Sequence, residues 1–261
     1  MPEASGPPTY PRSTIILQFN KDFTFKHAQS LVPYFSSLGI SHIYGSPILK
    51  ARPGSPHGYD ITDHTKLNPE IGSEEEFGDF ISELHRHGMG FIMDFVPNHM
   101  GVGGNDNEWW LDVLEWGKSS LYASFFDIDW NPAEQSLKGK VLLPVLGGQY
   151  GEILENGELK LLFDENSGSF NVWYYEHRFP ITIKHYREIL RMATNLEPER
   201  SKWHRPLSQR SALIKRSQYQ DRKQTLVYRR ARELRQELRE YYQSKPIVKM
   251  AVEKANAAGH Q

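Results

Sequence analysis

The 261-residue chain has no cysteine, no long apolar run and no leader-like start, and each absence excludes a class of protein. Without cysteine there is neither a disulfide nor a thiolate nucleophile or metal ligand. No apolar run approaches the about 18 residues of a membrane-spanning helix, so we predict no membrane partner. Residues 1–8 have neither a basic start nor an apolar stretch, so we expect no signal peptide and a cytoplasmic protein.

The net charge of −1 hides a strong asymmetry along the chain. Residues 191–261 carry 17 Lys and Arg against 7 Asp and Glu, so the rest of the chain is acidic. A basic segment suggests nucleic-acid binding. However, apolar residues recur at helical spacing and predict an amphipathic helix over residues 221–243: Val227, Ala231, Leu234, Leu238 and Tyr241. We therefore favour a helical insertion packed on the acidic part of the chain, and predict no nucleic-acid partner.

The first hundred residues alternate between strand and helix patterns. Residues 15–19 and 40–48 are typical of strands, and residues 25–38 carry apolar side chains at helical spacing before Gly39. Ser73 to Glu76 has the form of a capping box that starts a second helix, which Gly88 closes. A third strand follows. The β-α-β-α-β order predicts a parallel sheet with right-handed crossovers.

The third strand pattern, residues 91–99, places polar side chains where a parallel sheet does its chemistry. Its apolar residues surround Asp94, and we predict a strand buried on both faces that Pro97 ends. Asp94, Asn98 and His99 then lie in or just past its carboxyl end. This is the functional end of barrels and open α/β sheets. A core strand with a satisfied buried aspartate is the alternative for this segment alone.

Several segments together resemble a known enzyme family. His57-Gly58-Tyr59-Asp60 and Asp94-Phe95-Val96-Pro97-Asn98-His99 are similar to the first signature regions of the α-amylase superfamily. Further segments resemble the maltooligosyl trehalose synthases of that superfamily: residues 17–20, 49–55, 67–70, 98–100, 109–117, 125–130 and 139–147. The resemblance covers residues 14 to 190 and continues more weakly through the helical tail.

The resemblance implies a fold and a division of the chain. We expect an α/β protein, a partial TIM (β/α)8 barrel whose first three βα units occupy residues 1–99. An inserted loop-rich subdomain would occupy residues 100–190, and a basic C-terminal helical segment residues 191–261. Three strands cannot close an eight-stranded barrel, so a fragment of this kind should expose apolar surface and associate.

The resemblance also implies a reaction. Enzymes of this family rearrange the reducing-end α-1,4 bond of a maltooligosaccharide into an α,α-1,1 bond. Retention of configuration needs a carboxylate nucleophile and a carboxylic acid about 5–5.5 Å apart. The family's nucleophile follows a Gly-x-Arg-apolar-Asp pattern on strand four, and residues 165–261 contain no such pattern. We therefore expect no catalytic residue in this chain, no activity from it alone, and a complementing chain or segment that carries the rest of the barrel.

The substrate-binding residues are carried over from the family. Tyr59 would be the aromatic platform under the sugar at the cleavage point, and His99 would donate a hydrogen bond to a sugar hydroxyl. Asp94 would orient its neighbours; its family partner is the arginine of the missing pattern, which would leave it without a partner here.

The other candidates lie around these three residues. Asp60, His57 and Arg52 are candidate contacts to the sugar or to its binding residues, and Asn98 would shape the loop or bind calcium. Trp109 or Trp110 would either stack on a sugar or belong to the core. We predict no metal and no cofactor. A non-catalytic glucan-binding fragment and another retaining α-glucan enzyme are the alternative functions.

Overall fold

The computed structural model describes residues 10–194, 221–244, 246, 249, 250 and 253. The chain divides into a first unit, Met1–Asn107, and a second unit, Glu108–Gln261. Of the expectations above, the N-terminal eight residues and much of the basic segment lie outside the described residues. The predicted three-part division of the chain stays a prediction.

The first unit contains two helices, a parallel sheet and a hairpin. In chain order its elements are β1 (Thr14–Leu17), α1 (Phe25–Ser37), β2 (His42–Gly45), β3 (Leu49–Ala51), β4 (Ile61–Leu67), α2 (Glu74–Arg86) and β5 (Gly90–Met93). The sheet order is β1-β2-β5 and both pairs are parallel, as the β-α-β-α-β pattern predicts. The strands β3 and β4 form a separate antiparallel hairpin.

The helices of the first unit begin and end where the sequence indicates. Ser73 accepts a hydrogen bond from the Glu76 N–H at 3.1 Å and donates its own N–H to the Glu76 carboxylate at 2.9 Å, which confirms the capping box. Gly39 and Gly88 follow the two helices in left-handed conformations. The apolar faces of α1 and α2 cover the sheet in one core, whose largest buried members include Phe19, Phe25, Ile43, Phe80 and Leu84.

The prediction that the third strand is buried on both faces is wrong. The strand β5 ends at Met93, four residues before Pro97, and Met93 is 40 % exposed. The reason is its place at the edge of the sheet: β5 pairs with β2, and the described residues supply no strand on its other side. Asp94 therefore lies just past the strand, where its N–H donates to the Gly45 carbonyl at 2.9 Å.

The carboxylate of Asp63, on β4, is held in its ionised form. Burial alone would raise its pKa, but the Thr65 hydroxyl and N–H donate to it at 2.6 and 2.9 Å, and the Lys66 ammonium lies at 2.9 Å. Together these donors lower the pKa of Asp63 to about 2. Because the pKa in the folded state is below that of the unfolded chain, this stabilisation is present near neutrality and disappears as pH falls towards 2.

We expect Asp63→Asn to lower the free energy of unfolding by about 1–2 kcal/mol at pH 7. The difference between the two proteins should shrink between pH 4 and pH 2, because the native carboxylate becomes protonated there. Urea unfolding at a series of pH values, followed by circular dichroism, measures both. A difference that stays constant down to pH 2 would contradict the assignment.

The second unit is built around an antiparallel sheet and two late helices. In chain order its elements are α3 (Glu108–Trp116), α4 (Tyr150–Glu155), β6 (Leu159–Asp164), β7 (Ser169–Tyr174), β8 (His177–Pro180), α5 (Tyr186–Thr194) and α6 (Asp221–Ser244). Short 3-10 helices lie at Gly117–Ser119, Ala123–Phe125, Gln135–Leu137 and Ile183–His185. The sheet is a meander in the order β6-β7-β8.

The helix α6 confirms the amphipathic pattern of the basic segment. Val227, Ala231, Leu234 and Leu238 are buried, and they share one core with Phe170, Ile183, Tyr186, Ile189 and Leu190. The apolar stripe therefore packs on the second unit, on residues of the predicted inserted subdomain. Among the helices that can be described, none combines the length and the apolar character that crossing a membrane requires.

Candidate functional site

The loop between β3 and β4 presents Tyr59. Gly58, before it, has φ +77°, and a Cβ there would lie 2.5 Å from the Pro47 carbonyl oxygen. Only glycine fits this turn without strain, which explains the His-Gly-Tyr-Asp pattern in local terms. Tyr59 follows the turn and is 39 % exposed, so part of its ring is open to solvent.

The Tyr59 hydroxyl reaches across the sheet edge to Asp94. It donates a hydrogen bond to Asp94 Oδ2 at 2.5 Å. This bond to the carboxylate, together with burial, raises the pKa of Tyr59 to about 12. The expectation that Asp94 lacks a partner is therefore wrong, because a tyrosine provides the hydrogen bond that the family's arginine was expected to make.

A second tyrosine, Tyr44, belongs to the same group. It lies on β2, opposite Ile92 of β5, and burial together with the negative charge of Asp94 raises its pKa. The sequence reasoning missed Tyr44. The signal that could have found it is its position, one residue before the end of a parallel strand beside the strand that leads to Asp94.

His99 joins this group from the loop that follows β5. Its Nε2 lies 2.9 Å from the Tyr59 carbonyl oxygen, so this nitrogen carries the proton and donates. The ring of His99 is exposed. His57 packs against Tyr59 with ring centres 5.9 Å apart, and its Nδ1 accepts the Tyr59 N–H at 3.0 Å. The structure thus brings together four of the candidate residues, Tyr59, Asp94, His99 and His57; their role in binding stays a prediction.

The remaining first-unit candidates differ in what they contact. The Asp60 carboxylate accepts a hydrogen bond from the Ser55 hydroxyl, inside the loop. Arg52 is half-buried and lies against the glycines that follow His99. Asn98 is exposed. Within the described ranges no three His, Asp or Glu side chains form a group that could hold a metal ion.

The two tryptophan candidates belong to the second unit. Trp109 stacks on Tyr122 with ring centres 5.3 Å apart and planes 6° from parallel, and Phe125 lies 5.1 Å away. Trp110 is 8 % exposed and packs against Phe126. Tyr122 therefore covers one face of Trp109, and Trp110 contributes mainly to the interior of this unit. A sugar contact by either residue stays a prediction.

The group at the carboxyl ends of β2 and β5 has side chains of the kinds that contact neutral, polyhydroxylated ligands. It offers an aromatic ring, a carboxylate that accepts from the Tyr59 hydroxyl and an imidazole that donates to a backbone carbonyl. Rings of this kind stack on the apolar faces of sugars, and carboxylate and imidazole groups hydrogen-bond to hydroxyls.

Comparison with known proteins agrees with this geometry. Residues 26–176 match the family model of the α-amylase catalytic domain. Over 155 residues, 56 % of this chain, the sequence is 44 % identical to a putative maltooligosyl trehalose synthase of Mycobacterium tuberculosis (strain H37Rv) and spans 20 % of it.

Two solved structures extend the comparison. The maltooligosyltrehalose synthase of Arthrobacter ramosus is 41 % identical with a TM-score of 0.57, over 66 % of this chain and 21 % of that one. A hypothetical maltooligosyl trehalose synthase of Sulfolobus tokodaii is 36 % identical with a TM-score of 0.55, over 67 % and 22 % of the respective chains.

The chain spans about a fifth of the length of these relatives. Its mixed helices and sheets are consistent with part of a TIM barrel, and the relatives described above are maltooligosyl trehalose synthases. Since the family model matches more than half of the residues, the chain belongs to the α-amylase family.

Proposed function

We propose that this chain is the N-terminal part of a maltooligosyl trehalose synthase. The enzyme would convert the reducing-end α-1,4 bond of a maltooligosaccharide into an α,α-1,1 bond by intramolecular transglucosylation. The observation that carries the proposal is the Tyr59–Asp94 hydrogen bond beside His99, at the carboxyl ends of two parallel strands. It lies in a region similar to synthases of known structure.

In this proposal each residue of the group has a separate role. The exposed part of the Tyr59 ring stacks on the glucose unit at the cleavage point, and the Asp94 carboxylate fixes the ring through its hydroxyl. Because His99 Nε2 donates to the Tyr59 carbonyl, its other nitrogen is left to accept from a sugar hydroxyl when the ring is neutral. When protonated, the same nitrogen donates instead, as the family resemblance predicts.

The group does not contain the machinery for a retaining reaction. That chemistry needs a nucleophilic carboxylate and a carboxylic acid about 5–5.5 Å apart. Asp94 already accepts a hydrogen bond from the Tyr59 hydroxyl and is placed to orient rather than to attack. The proposal therefore places the nucleophile and the acid outside these 261 residues, with this chain supplying one wall of the substrate site.

The purified chain should accordingly leave the reducing ends of maltopentaose unchanged during prolonged incubation. The positive control is a hybrid enzyme, in which the aligned segment of the Arthrobacter ramosus synthase is replaced by that of this chain. The hybrid should convert maltopentaose into a non-reducing product.

Three results would contradict the proposal. Loss of reducing ends with the chain alone would place the catalytic carboxylates within it. A gain of reducing ends with the hybrid would point to an amylase-like hydrolase instead. A hybrid that unfolds as cooperatively as its parent and makes no product would show that this segment does not serve the reaction.

A further inference from the structure

Two loops of the first unit carry the candidate site. The platform loop, residues 52–60, presents Tyr59, and the return loop, residues 94–107, carries Asp94 and His99. The return loop is joined to the residue directly after the platform loop, because Gly101 donates its N–H to the Ile61 carbonyl at 2.8 Å. The geometry of the site depends on how firmly these two loops are held together.

Arg52 is anchored in the platform loop through its backbone. Its N–H donates to the Asp60 carbonyl at 3.1 Å, and its carbonyl accepts the Ser55 N–H at 3.1 Å. The Ser55 hydroxyl in turn donates to the Asp60 carboxylate and accepts the Gly58 N–H at 3.1 Å. A shift of Arg52 is therefore transmitted directly to the turn that sets the position of Tyr59.

The side chain of Arg52 lies along the return loop. A Cβ built on Gly101 would be 3.2 Å from Arg52 Cγ, and one built on Gly103 would be 2.7 Å from Nη1. One built on Gly104 would be 2.7 Å from Nη2. The loop backbone thus approaches Arg52 along its whole length, and it does so only because the facing residues have no side chains.

A buried carboxylate provides the matching charge. Both oxygens of Asp106 are buried and have no hydrogen-bond partner among the residues that the structure describes. The Cβ position built on Gly104 lies 2.7 Å from Arg52 Nη2 and 3.3 Å from Asp106 Oδ1. These two charged groups are therefore no more than about 6 Å apart. The guanidinium therefore lowers the cost of burying this carboxylate.

We propose that Arg52 is a positioning residue, which clamps the platform loop onto the return loop and so fixes Tyr59 against Asp94. Its importance for substrate rests on the proposed function, but the clamp itself does not. In this proposal Arg52 does not contact the sugar. Its effect reaches the site through the Asp60 and Ser55 contacts and through the glycine backbone.

The test measures the Tyr59 hydroxyl directly in the full 261-residue chain. With 3-fluorotyrosine incorporated, 19F NMR follows each tyrosine as it titrates, and fluorine lowers the pKa of a phenol into a range where the chain stays folded. Tyr59→Phe and Tyr44→Phe identify the two signals. In Arg52→Ala the titration midpoint of Tyr59 should fall by about one pH unit, because its hydrogen bond to Asp94 is no longer held. Arg52→Lys should restore part of the difference.

A second variant approaches the clamp from the other loop. Gly103→Ala keeps Arg52 but places a methyl group where the guanidinium lies, so it should lower the Tyr59 midpoint as well. Gly78→Ala is the matched control, because a Cβ at this exposed helical position meets nothing within 4 Å. It should leave the Tyr59 midpoint unchanged.

The proposal is overturned if folded Arg52→Ala and Gly103→Ala chains show the parent's Tyr59 midpoint, whatever their thermal stability. If Arg52→Ala does not fold, Gly103→Ala alone decides. No substrate is present, so a negative result leaves the product assay unaffected. Conversely, an inactive hybrid would say nothing against the clamp.

Discussion

In the hybrid enzyme, replacing Asp94 by alanine should lower kcat/KM for maltopentaose about 100-fold. Asp94 accepts a hydrogen bond from the Tyr59 hydroxyl, so its removal frees the ring on which the sugar is proposed to stack. A displacement of about 1 Å at a positioning group is sufficient for an effect of this size.

Tyr59→Phe separates the two contributions of this pair. It keeps the ring but removes the hydroxyl, so we expect a smaller loss, of about 10-fold. Asp79→Ala is the control, because Asp79 is an exposed carboxylate on α2 in the same unit and should leave kcat/KM unchanged. If the Asp94→Ala hybrid keeps its parent's kcat/KM, Asp94 does not contribute to the site.

The sequence predicted the regular elements of the first unit because each has a strong local signal. The helix α2 has its capping box, α1 its apolar spacing and closing glycine, and the strands β1 and β2 their apolar runs. In contrast, the β3–β4 hairpin was missed. Its first strand is only three residues long and pairs across a Pro- and Gly-rich loop with two register shifts, so no periodicity marks it.

The errors at the site have a different origin. An apolar run such as residues 91–93 shows that a strand forms, but not how many neighbours it has, and that number decides how much of it is buried. Likewise, Tyr59 and Asp94 are 35 residues apart in the sequence, and no local sequence pattern predicts their hydrogen bond. The family resemblance named both residues but supplied the wrong partner for Asp94.

The same limit applies to the second unit, where the fold joins two residues 120 positions apart in the sequence. Glu115 lies in the family-like segment 109–117, and Arg235 lies in the basic amphipathic helix. In the structure Glu115 is 8 % exposed and pairs with the guanidinium of Arg235, which is half-buried. Burial raises the pKa of the Glu115 carboxyl in spite of this cation.

Replacing Glu115 by alanine should lower the free energy of unfolding of the second unit by about 3–5 kcal/mol, because it leaves the Arg235 charge without its partner. The double replacement Glu115→Leu with Arg235→Leu should recover most of that loss, since no charge is then buried. Arg232→Ala, an exposed arginine on the same helix, should change stability by no more than about 0.5 kcal/mol.

All six tryptophans lie beyond residue 107, so tryptophan fluorescence during urea unfolding reports on the second unit alone. This separates the effect on α3 and α6 from any change in the first unit, where the candidate site lies. If Glu115→Ala costs no more than Arg232→Ala, the ion pair does not tie α6 to α3. If the single and the double replacement lower the free energy of unfolding equally, the loss comes from packing around Glu115 and not from the unpaired charge of Arg235.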